Sequence, residues 1–272
     1  DYYNNLPKII CKVWKQLYPE DFKTYQGLLK SRGECMASDS YMSKIKSLEK
    51  KTGANINFVS QTIQQINRNY QTCSYELQSK QNELKNNIDA CLAFDKEEKE
   101  QIIKMMYSAT NVVFGNKNEN KGFELFEQIT GKKIKTQQKN LILPWCEDEI
   151  TFNDGKETIK FQWVIRGKCD GITHDNELVE IKNRQNCLFN TIRDYEMCQV
   201  QLYSHMLSID TIYLVEIMGA DSLKNSQYNI LQTYRDDTYL EHRILPHLHS
   251  FKSFMTKFIF LDHEEKLNII TG

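Results

Sequence analysis

The sequence lacks several features that mark well-known classes of protein. It has no Gly-x-x-x-x-Gly-Lys-Ser/Thr loop and no Gly-x-Gly-x-x-Gly turn, which argues against a nucleotide-driven motor or a dinucleotide enzyme within this chain. We find no signal peptide and no apolar run of membrane-spanning length, so we expect no membrane association. The formal net charge is −1, which excludes a global basic field of the kind that holds nucleic acid by charge alone.

The eight cysteines do not have the spacing of a metal-binding site. None belongs to a Cys-x-x-Cys pair and none has a histidine at ligand spacing, which argues against a zinc or iron–sulfur centre. Several lie in apolar runs, where free thiols behave as small hydrophobic groups. We therefore expect a reducing intracellular compartment, the cytoplasm or the nucleus. The chain begins at Asp1 rather than at a methionine, so we expect the natural N-terminus to lie further upstream.

The composition is that of a folded globular protein, because 40% of the residues are hydrophobic and 26% are charged. In the first part of the chain apolar side chains recur at three- and four-residue intervals, among them Ile45, Ile56 and Ile63. This period predicts helices. We therefore predict a helical N-terminal portion over residues 1–110, packed on a core over residues 111–272.

A capping box and a glycine predict helix ends near the start of that core. Asp95 is a candidate N-cap, and Glu98 three residues later completes the capping-box pattern. The character of the sequence changes from Gly115. Residues 117–130 suit a helix that ends at Gly131.

Strand-like stretches follow from Leu141 onward. Alternating or buried patterns predict strands, short polar segments predict turns, and helical periods return afterwards. We predict strands at 161–169, 178–181 and 211–218, turns at 153–155 and 174–176, a helix over 192–208, and a last helix from about 236 that is bent or broken before Pro246. This order indicates an α/β or α+β core with a central mixed sheet flanked by helices.

Any contact with nucleic acid must be local, because the net charge is close to zero. The densest basic stretch is residues 131–135, Gly-Lys-Lys-Ile-Lys, followed by Lys139. Such a run is usually a solvated face, and the alternative is a set of phosphate contacts.

The sharpest chemical feature combines Asp170 with Glu180 and Lys182. Alternate residues of a strand share a face, so Glu180 and Lys182 point the same way while Val179 and Ile181 point into the core. Asp170 ends the preceding strand and can meet them. Two convergent carboxylates suit Mg²⁺, and a neighbouring ammonium can orient or help to deprotonate a water. This set suits phosphodiester hydrolysis, and the plainer alternative is a hairpin with a surface ion pair.

An upstream segment makes this interpretation more specific. Residues 115–119 read Gly-Asn-Lys-Asn-Glu, and residues 125–131 contain Leu-Phe-Glu and a glycine. Together with the catalytic pattern, this resembles the helix segment of the lambda-type exonucleases, or YqaJ-like viral recombinase family, within the PD-(D/E)XK nucleases. The resemblance implies that Glu119 is an active-site carboxylate, while Glu124 and Glu127 lie elsewhere on the helix. The alternative for Glu119 is a solvated helix charge.

A downstream segment fits the same family. Tyr195, Gln199 and Tyr203 have four-residue spacing and would share one face of a helix. Gln199 resembles the family's motif glutamine, which lies near the metal and the substrate. The resemblance also implies substrate contacts from Tyr195, Tyr203 and Arg184. The alternative is an amphipathic helix with a polar stripe.

The beginning of the chain departs from the family pattern. The family carries an Arg, Gly and Thr-Ala-Ser segment that grips the 5′ phosphate of DNA. Here Arg32-Gly33 and Ala37-Ser38 match it in part, with spacing one residue short. On that resemblance, Arg32 and Ser38 are candidate substrate contacts.

The resemblance implies a restriction-endonuclease-like core that hydrolyses DNA. Glu119, Asp170, Glu180 and the Ile181 carbonyl would hold Mg²⁺ or Mn²⁺, and Lys182 would assist the water. It further implies a 5′-to-3′ exonuclease on duplex ends, of viral or phage origin, that forms a homo-oligomer such as a trimer and works beside a single-strand annealing protein in recombination or repair. Two alternatives stay open: a structure-specific endonuclease or RecB-like nuclease with the same site, and a catalytically silent nucleic-acid-binding protein.

Overall fold

The computed structural model describes residues 2–32, 34–36, 39–53, 56–71, 73–152, 157–218 and 226–271. Across these residues a helical N-terminal region precedes a mixed sheet with flanking helices, so the predicted α+β class is confirmed. The chain divides into two compact units, the first made of Asp1–Gln64, Leu84–Ala109 and Leu248–Gly272, and the second of Gln65–Glu83 and Thr110–His247. The predicted division of the chain at residue 110 stays a prediction.

The N-terminal region is helical, as its apolar spacing predicts. Within the described residues its helices are α1 (Tyr2–Leu17), α2 (Pro19–Arg32), α3 (Tyr41–Thr52), α4 (Asn57–Asn69), α5 (Ser74–Ala90) and α6 (Lys96–Thr130). Ile45, Ile56 and Ile63, which carry the period, are each at most 1% exposed. Tertiary burial of one face therefore stabilises these helices.

An aromatic cluster forms part of the core of the first unit. The ring of Trp14 is fully buried and packs edge-on against Phe22, Tyr25 and Phe258, with ring centroids 5.0 to 5.4 Å apart. Edge-to-face packing is favoured by the charge distribution of aromatic rings. These rings link α1 and α2 to the C-terminal part of the chain.

Helix α6 begins at the predicted capping box. Its first turn is closed by Asp95 Oδ1, which accepts from the Glu98 N–H at 2.8 Å, and by Glu98 Oε2, which accepts from the Asp95 N–H at 3.2 Å. The change in character predicted at Gly115 does not correspond to a change in secondary structure, because the helix continues through this residue. The end at Gly131 is confirmed, and this glycine adopts a left-handed φ of 73° that favours glycine.

Tertiary contacts explain why α6 survives a glycine near its centre. A helix-interior glycine costs about 1 kcal/mol relative to alanine. One turn on, Asn118 is buried, and its Nδ2 donates to the carbonyl oxygens of Phe114 at 2.9 Å and Gln71 at 2.7 Å. These fixed contacts on the same helix offset the weak local preference.

The sheet is mixed, and its strands follow chain order. They are β1 (Ile134–Phe152), β2 (Glu157–Thr173), β3 (Leu178–Arg184), β4 (Thr211–Met218) and β5 (Gln227–Tyr234). Neighbours are antiparallel except β3 and β4, which are parallel and are connected through α7 (Asp194–Leu207). The strand predicted from Leu141 starts earlier, at Ile134, since β1 pairs with the whole length of β2.

The two predicted turns have different outcomes. The turn at residues 174–176 is confirmed, since Asn176 takes a left-handed φ of 60° and its N–H donates to the Thr173 carbonyl at 3.1 Å. The turn predicted at residues 153–155 lies outside the described residues.

Helices cover both faces of the sheet in the second unit. On one face Phe123 and Phe126 of α6 pack against β3 and β4, where Val179 and Ile181 are buried as predicted. On the other face Val200 of α7 packs with further buried residues of the strands. The odd and even positions of β3 therefore face different helices, which is why this central strand is buried on both sides.

The C-terminal helices confirm a distortion before Pro246. The elements are α8 (Asp237–Tyr239), a π-helical turn (Leu240–Ile244), α9 (Leu245–Phe258) and α10 (His263–Thr271). A proline has no N–H and clashes with the preceding turn, so a widened turn next to it relieves the conflict. Asp236 caps the start, its Oδ1 accepting from the Tyr239 N–H at 3.0 Å.

No helix in the described ranges is long and apolar enough to cross a membrane. All eight cysteines are free thiols.

Candidate active site

The site forms where strands β2 and β3 part. Their pairing is confined to Gly171 with Val179 and Ile172 with Leu178. Beyond these two pairs, a side chain replaces the backbone acceptor of β2, and Asp170 Oδ2 accepts from the backbone N–H of Ile181 at 2.8 Å. The N–H and C=O of one strand residue point to the same edge, so the Ile181 carbonyl lies along this same opening.

Glu180, Lys182 and Gln199 form a closed hydrogen-bonded triangle beside the opening. Lys182 Nζ donates to Glu180 Oε1 at 2.9 Å and to Gln199 Oε1 at 3.0 Å, and Gln199 Nε2 donates to Glu180 Oε1 at 2.8 Å. Glu180 and Lys182 do share a face, as the strand period predicts. The triangle also restricts the rotamer of each member, because each side chain makes two hydrogen-bond contacts within it.

The second oxygen of Glu180 differs from the first. Glu180 is only 2% exposed, and its Oε2 forms no hydrogen bond of normal geometry with the described residues, although the backbone of Asp170 interacts with this carboxyl and lowers its pKa. A buried acceptor without a donor costs roughly 1–3 kcal/mol, and more when it is charged. A cation, a water or a hydrogen-bond donor bound to this oxygen would therefore offset the cost of burying it.

Glu119 comes to the site from helix α6. Its carboxylate accepts a hydrogen bond from Gln138 Nε2 of β1. The close approach of α6 to β3 requires Gly122, because a Cβ there would collide with the Ile181 side chain. Asn183 also holds the two elements together, its Nδ2 donating to a helix carbonyl at 2.9 Å.

Burial makes these carboxylates harder to ionise. It raises the pKa of Glu180 to about 7, with Lys182 opposing the rise. The pKa of Asp170 is also raised by burial, against the hydrogen bond from the Ile181 N–H and the charge of Lys182. Burial and the charge of Asp170 raise the pKa of Glu119. A site that disfavours its own negative charge gains from a bound cation.

The chemistry of the donor atoms at this site fits a hard divalent cation. Among the described residues no group of three or more His, Cys, Asp or Glu side chains forms a ready-made metal cluster. Mg²⁺ does not need one, since it is commonly bound through one or two carboxylates and retains several waters. The unpartnered Glu180 Oε2, the neighbouring Asp170 and the Ile181 carbonyl give an all-oxygen donor set, which suits Mg²⁺ or Mn²⁺.

Arg184 has a different environment from the one predicted. Its guanidinium is buried and donates to Glu196 at 2.8 and 3.0 Å and to Glu216 at 2.7 Å. Although burial alone would raise the pKa of Glu196, the hydrogen bonds and charge of Arg184 hold it below its usual value. Glu216 also accepts from the backbone N–H groups of Phe189 and Asn190, both at 3.1 Å. This position gives no support to a substrate contact by Arg184.

Replacing Glu216 with alanine is expected to lower the free energy of unfolding by about 3–5 kcal/mol, because it leaves the Arg184 charge buried without one of its partners. Urea unfolding measures the change. Glu147→Ala is the matched control, since Glu147 is an exposed strand residue. A loss no larger than that of the control would contradict a structural role for this cluster.

The two predicted tyrosines lie in unlike places. The Tyr203 hydroxyl accepts from Gln199 Nε2 at 3.3 Å and from the Lys168 N–H at 3.4 Å, so it extends the site. Gly167 makes room for its ring, because a Cβ there would collide with it. Tyr195 is 59% exposed, and its hydroxyl donates to Glu196 at 3.2 Å.

No observation tests the two upstream candidates for phosphate contacts, Arg32 and Ser38. Arg32 is an exposed residue at the end of α2 and belongs to the first unit. Ser38 lies outside the described residues. Their phosphate contacts stay predictions.

Three contributors to the site escape sequence reasoning. Gln138 binds Glu119 from a left-handed φ of 53°, Gly122 permits the helix to approach, and Lys168 places a positive charge near Glu119 and Asp170. For Gln138 no sequence signal exists. A glycine inside a helical pattern is only a weak signal of close packing, since a Cβ at Gly115 of the same helix would meet none of the described residues within 4 Å.

Comparison with known proteins gives no family. No family model matches the sequence, and no curated protein matches it. Among solved structures, the crystal structure of SSO0001 is similar at 17% sequence identity and a TM-score of 0.31. That similarity covers 53% of this chain and 61% of the other, so this chain spans less than two thirds of it.

Proposed function

We propose that this chain is a metal-dependent DNA nuclease of the PD-(D/E)XK type. The carrying observation is the triangle of the buried Glu180 with the half-buried Lys182 and Gln199 at the opening beside Asp170, with one Glu180 oxygen that forms no hydrogen bond among the described residues. Perturbed carboxylates that converge with a lysine are more frequent at catalytic sites than elsewhere. The resemblance to the lambda-type exonucleases gives these residues their roles.

In the proposed mechanism, Glu119, Asp170, Glu180 and the Ile181 carbonyl would hold Mg²⁺ or Mn²⁺. Such an ion lowers the pKa of a bound water and offsets negative charge on a phosphodiester. The remaining work falls to the side chains. Lys182 orients the attacking water and offsets the negative charge that develops during attack.

The geometry supports that role for Lys182. An ammonium has three donors, and Glu180 and Gln199 take two of them. The third can address a water or a phosphate oxygen. Gln199 acts as a positioning residue, because it contacts Glu180 and Lys182 at once.

The proposal includes a substrate and an assembly that rest on the resemblance. The substrate is duplex DNA digested from its ends in the 5′-to-3′ direction, and the protein is a homo-oligomer, such as a trimer, that works beside a single-strand annealing protein. A structure-specific endonuclease would use the same side chains and would differ in its products.

The test is a product-length time course with end-labelled duplex DNA, in the presence of Mg²⁺, Mn²⁺ or EDTA. Open duplexes should be shortened progressively with either metal and should stay intact in EDTA. Hairpin-capped duplexes should resist. Cleavage of capped duplexes would favour the endonuclease, and no cleavage with any metal would contradict the proposal.

Glu119→Gln should reduce the rate of DNA cleavage by about 100-fold or more, since it removes a carboxylate from the cation site. Glu124→Gln is the matched control, because Glu124 is exposed on the same helix. It should leave the rate within about twofold, a change well below 1 kcal/mol. A reversed order would show that the helix alignment with the family is wrong.

A further inference from the structure

Strands β1 and β2 continue as a two-stranded ribbon past the point where β2 leaves β3. Their mutual pairing runs from Ile134 with Thr173 to Phe152 with Glu157, whereas β2 pairs with β3 only at its C-terminal end. The ribbon therefore has two faces of its own. It starts at the candidate active site.

The two faces differ in what covers them. On one face Cys169 and Leu141 are buried, and Tyr203 of α7 packs over Gly167. The other, here called the ribbon face, is open. It consists of Asn140 opposite Lys168, Ile142 opposite Arg166, and Val164.

Exposure confirms that this face is uncovered. Ile142 is 64% exposed and Val164 is 37% exposed, while Asn140, Arg166 and Lys168 are exposed polar residues. Single exposed apolar residues are ordinary. The exposure of Ile142 and Val164 nevertheless means that no described element packs on this part of the ribbon.

The two cations of the ribbon face differ in their surroundings, because Lys168 lies near the carboxylates of Glu119 and Asp170, whereas Arg166 lies further along β2. Neither Arg166 nor Lys168 forms an ion pair within the described part of the chain. Two lysines of the basic run in residues 131–135 behave otherwise, because Lys132 pairs with Glu177 and Lys133 pairs with Glu127, both at 2.8 Å. The ribbon face therefore keeps its positive charge available.

We propose that the ribbon face binds the phosphate backbone of the DNA that enters the site, through Arg166 and Lys168. This proposal rests on the proposed nuclease function and adds substrate-binding residues to it. Three carboxylates at the site repel a polyanion, and a chain of net charge −1 has no global field to offset them. Unpaired cations next to those carboxylates supply the missing attraction.

The spacing of the ribbon suits this ligand. Lys168 lies two residues from Asp170, and Arg166 lies two residues further on. Two residues of a strand advance about 6.6 Å, a distance similar to that between successive phosphates of one DNA strand. Arg166 can bind a phosphate with two parallel hydrogen bonds, and Lys168 acts as a point charge beside the reacting phosphate.

The experiment measures binding of a short fluorescein-labelled DNA duplex by anisotropy, in EDTA and at several salt concentrations. Arg166→Ala and Lys168→Ala should each weaken binding about tenfold and lower the slope of log K against log salt by about 0.9. Lys160→Ala is the matched control. Lys160 is exposed on the same strand but lies opposite Glu149, and its loss should change affinity by less than about twofold.

A small phosphodiester separates this proposal from the nuclease function. Hydrolysis of bis-p-nitrophenyl phosphate with Mn²⁺ should be unchanged in Arg166→Ala, because that substrate has no extended backbone. If Arg166→Ala and Lys168→Ala weaken DNA binding as stated but the wild type cleaves nothing, the nuclease function fails and the ribbon face stands. If both variants bind like the wild type, the ribbon face is overturned whatever the activity. A wild type that does not bind DNA overturns both.

Discussion

Glu180→Gln is expected to abolish metal-dependent DNA cleavage and, at neutral pH, to raise the stability of the metal-free protein. The amide keeps the size and the acceptor that Lys182 and Gln199 use, but it removes a charge that is nearly fully buried. Loss of that charge should lower the cleavage rate by about 1000-fold. The same loss relieves the cost of keeping a carboxylate away from water.

The pH dependence of stability follows from the same group. Because the pKa of Glu180 in the folded chain, about 7, lies above its ordinary value of 4.5, the folded state binds the proton more tightly. The stability that this contributes is present at low pH and is lost as the pH rises from about 4.5 to about 7, by about 3 kcal/mol in the metal-free protein.

Urea unfolding in EDTA at pH 5 and pH 7 measures this effect. The wild type should lose stability between the two, and Glu180→Gln should lose less. Addition of Mg²⁺ at pH 7 should stabilise the wild type but not the variant. Glu124→Gln, an exposed control for the same substitution, should follow the wild type. A Glu180→Gln variant that is less stable than the wild type at pH 7 would contradict the burial argument.

Lys182→Ala is expected to reduce DNA cleavage by about 100- to 1000-fold, because it removes the ammonium that orients the water and offsets developing charge. DNA binding should change little, since this side chain is mostly enclosed between Glu180 and Gln199 rather than spread along the backbone of the substrate. Thermal stability should also change little. The reason is that the raised pKa lets Glu180 take up a proton when its partner is lost.

Single-turnover cleavage with excess protein measures the chemical step separately from binding. Lys135→Ala, which removes an exposed lysine near the start of β1, serves as the control for charge. A Lys182→Ala variant that cleaves at the wild-type rate would remove the central assumption about the site. A variant that fails to bind DNA would place Lys182 in substrate binding instead.

Local patterns predict the part of the site that lies within one hairpin. The alternation that puts Glu180 and Lys182 on one face and Ile181 on the other depends only on the strand period, and the intervening turn is determined by residues 174–176. The helix end at Gly131 is predicted for the same reason. Each of these features depends on residues close in sequence.

The rest depends on contacts between distant residues, which one sequence does not reveal. Gln138 and Glu119 are 19 residues apart, and Arg184 and Glu216 are 32 apart. Nothing in the local pattern around Gln138 distinguishes it from an ordinary polar strand residue. The resemblance implies a substrate contact for Arg184, but the parallel register of β3 and β4 sets Glu216 opposite Lys182, where the Arg184 side chain reaches it in the interior.

The hydrogen bond between Asp170 and the Ile181 N–H has a consequence for how this site can be dissected. One carboxylate oxygen replaces a backbone acceptor that the parted strands no longer provide. Asp170→Ala would thus remove a charge and also leave the Ile181 N–H without its acceptor. An inactive Asp170→Ala variant would therefore not distinguish a catalytic role of Asp170 from a structural one. Asp170→Asn retains an acceptor and isolates the charge. At this position the usual alanine scan confounds two properties that a single oxygen atom combines.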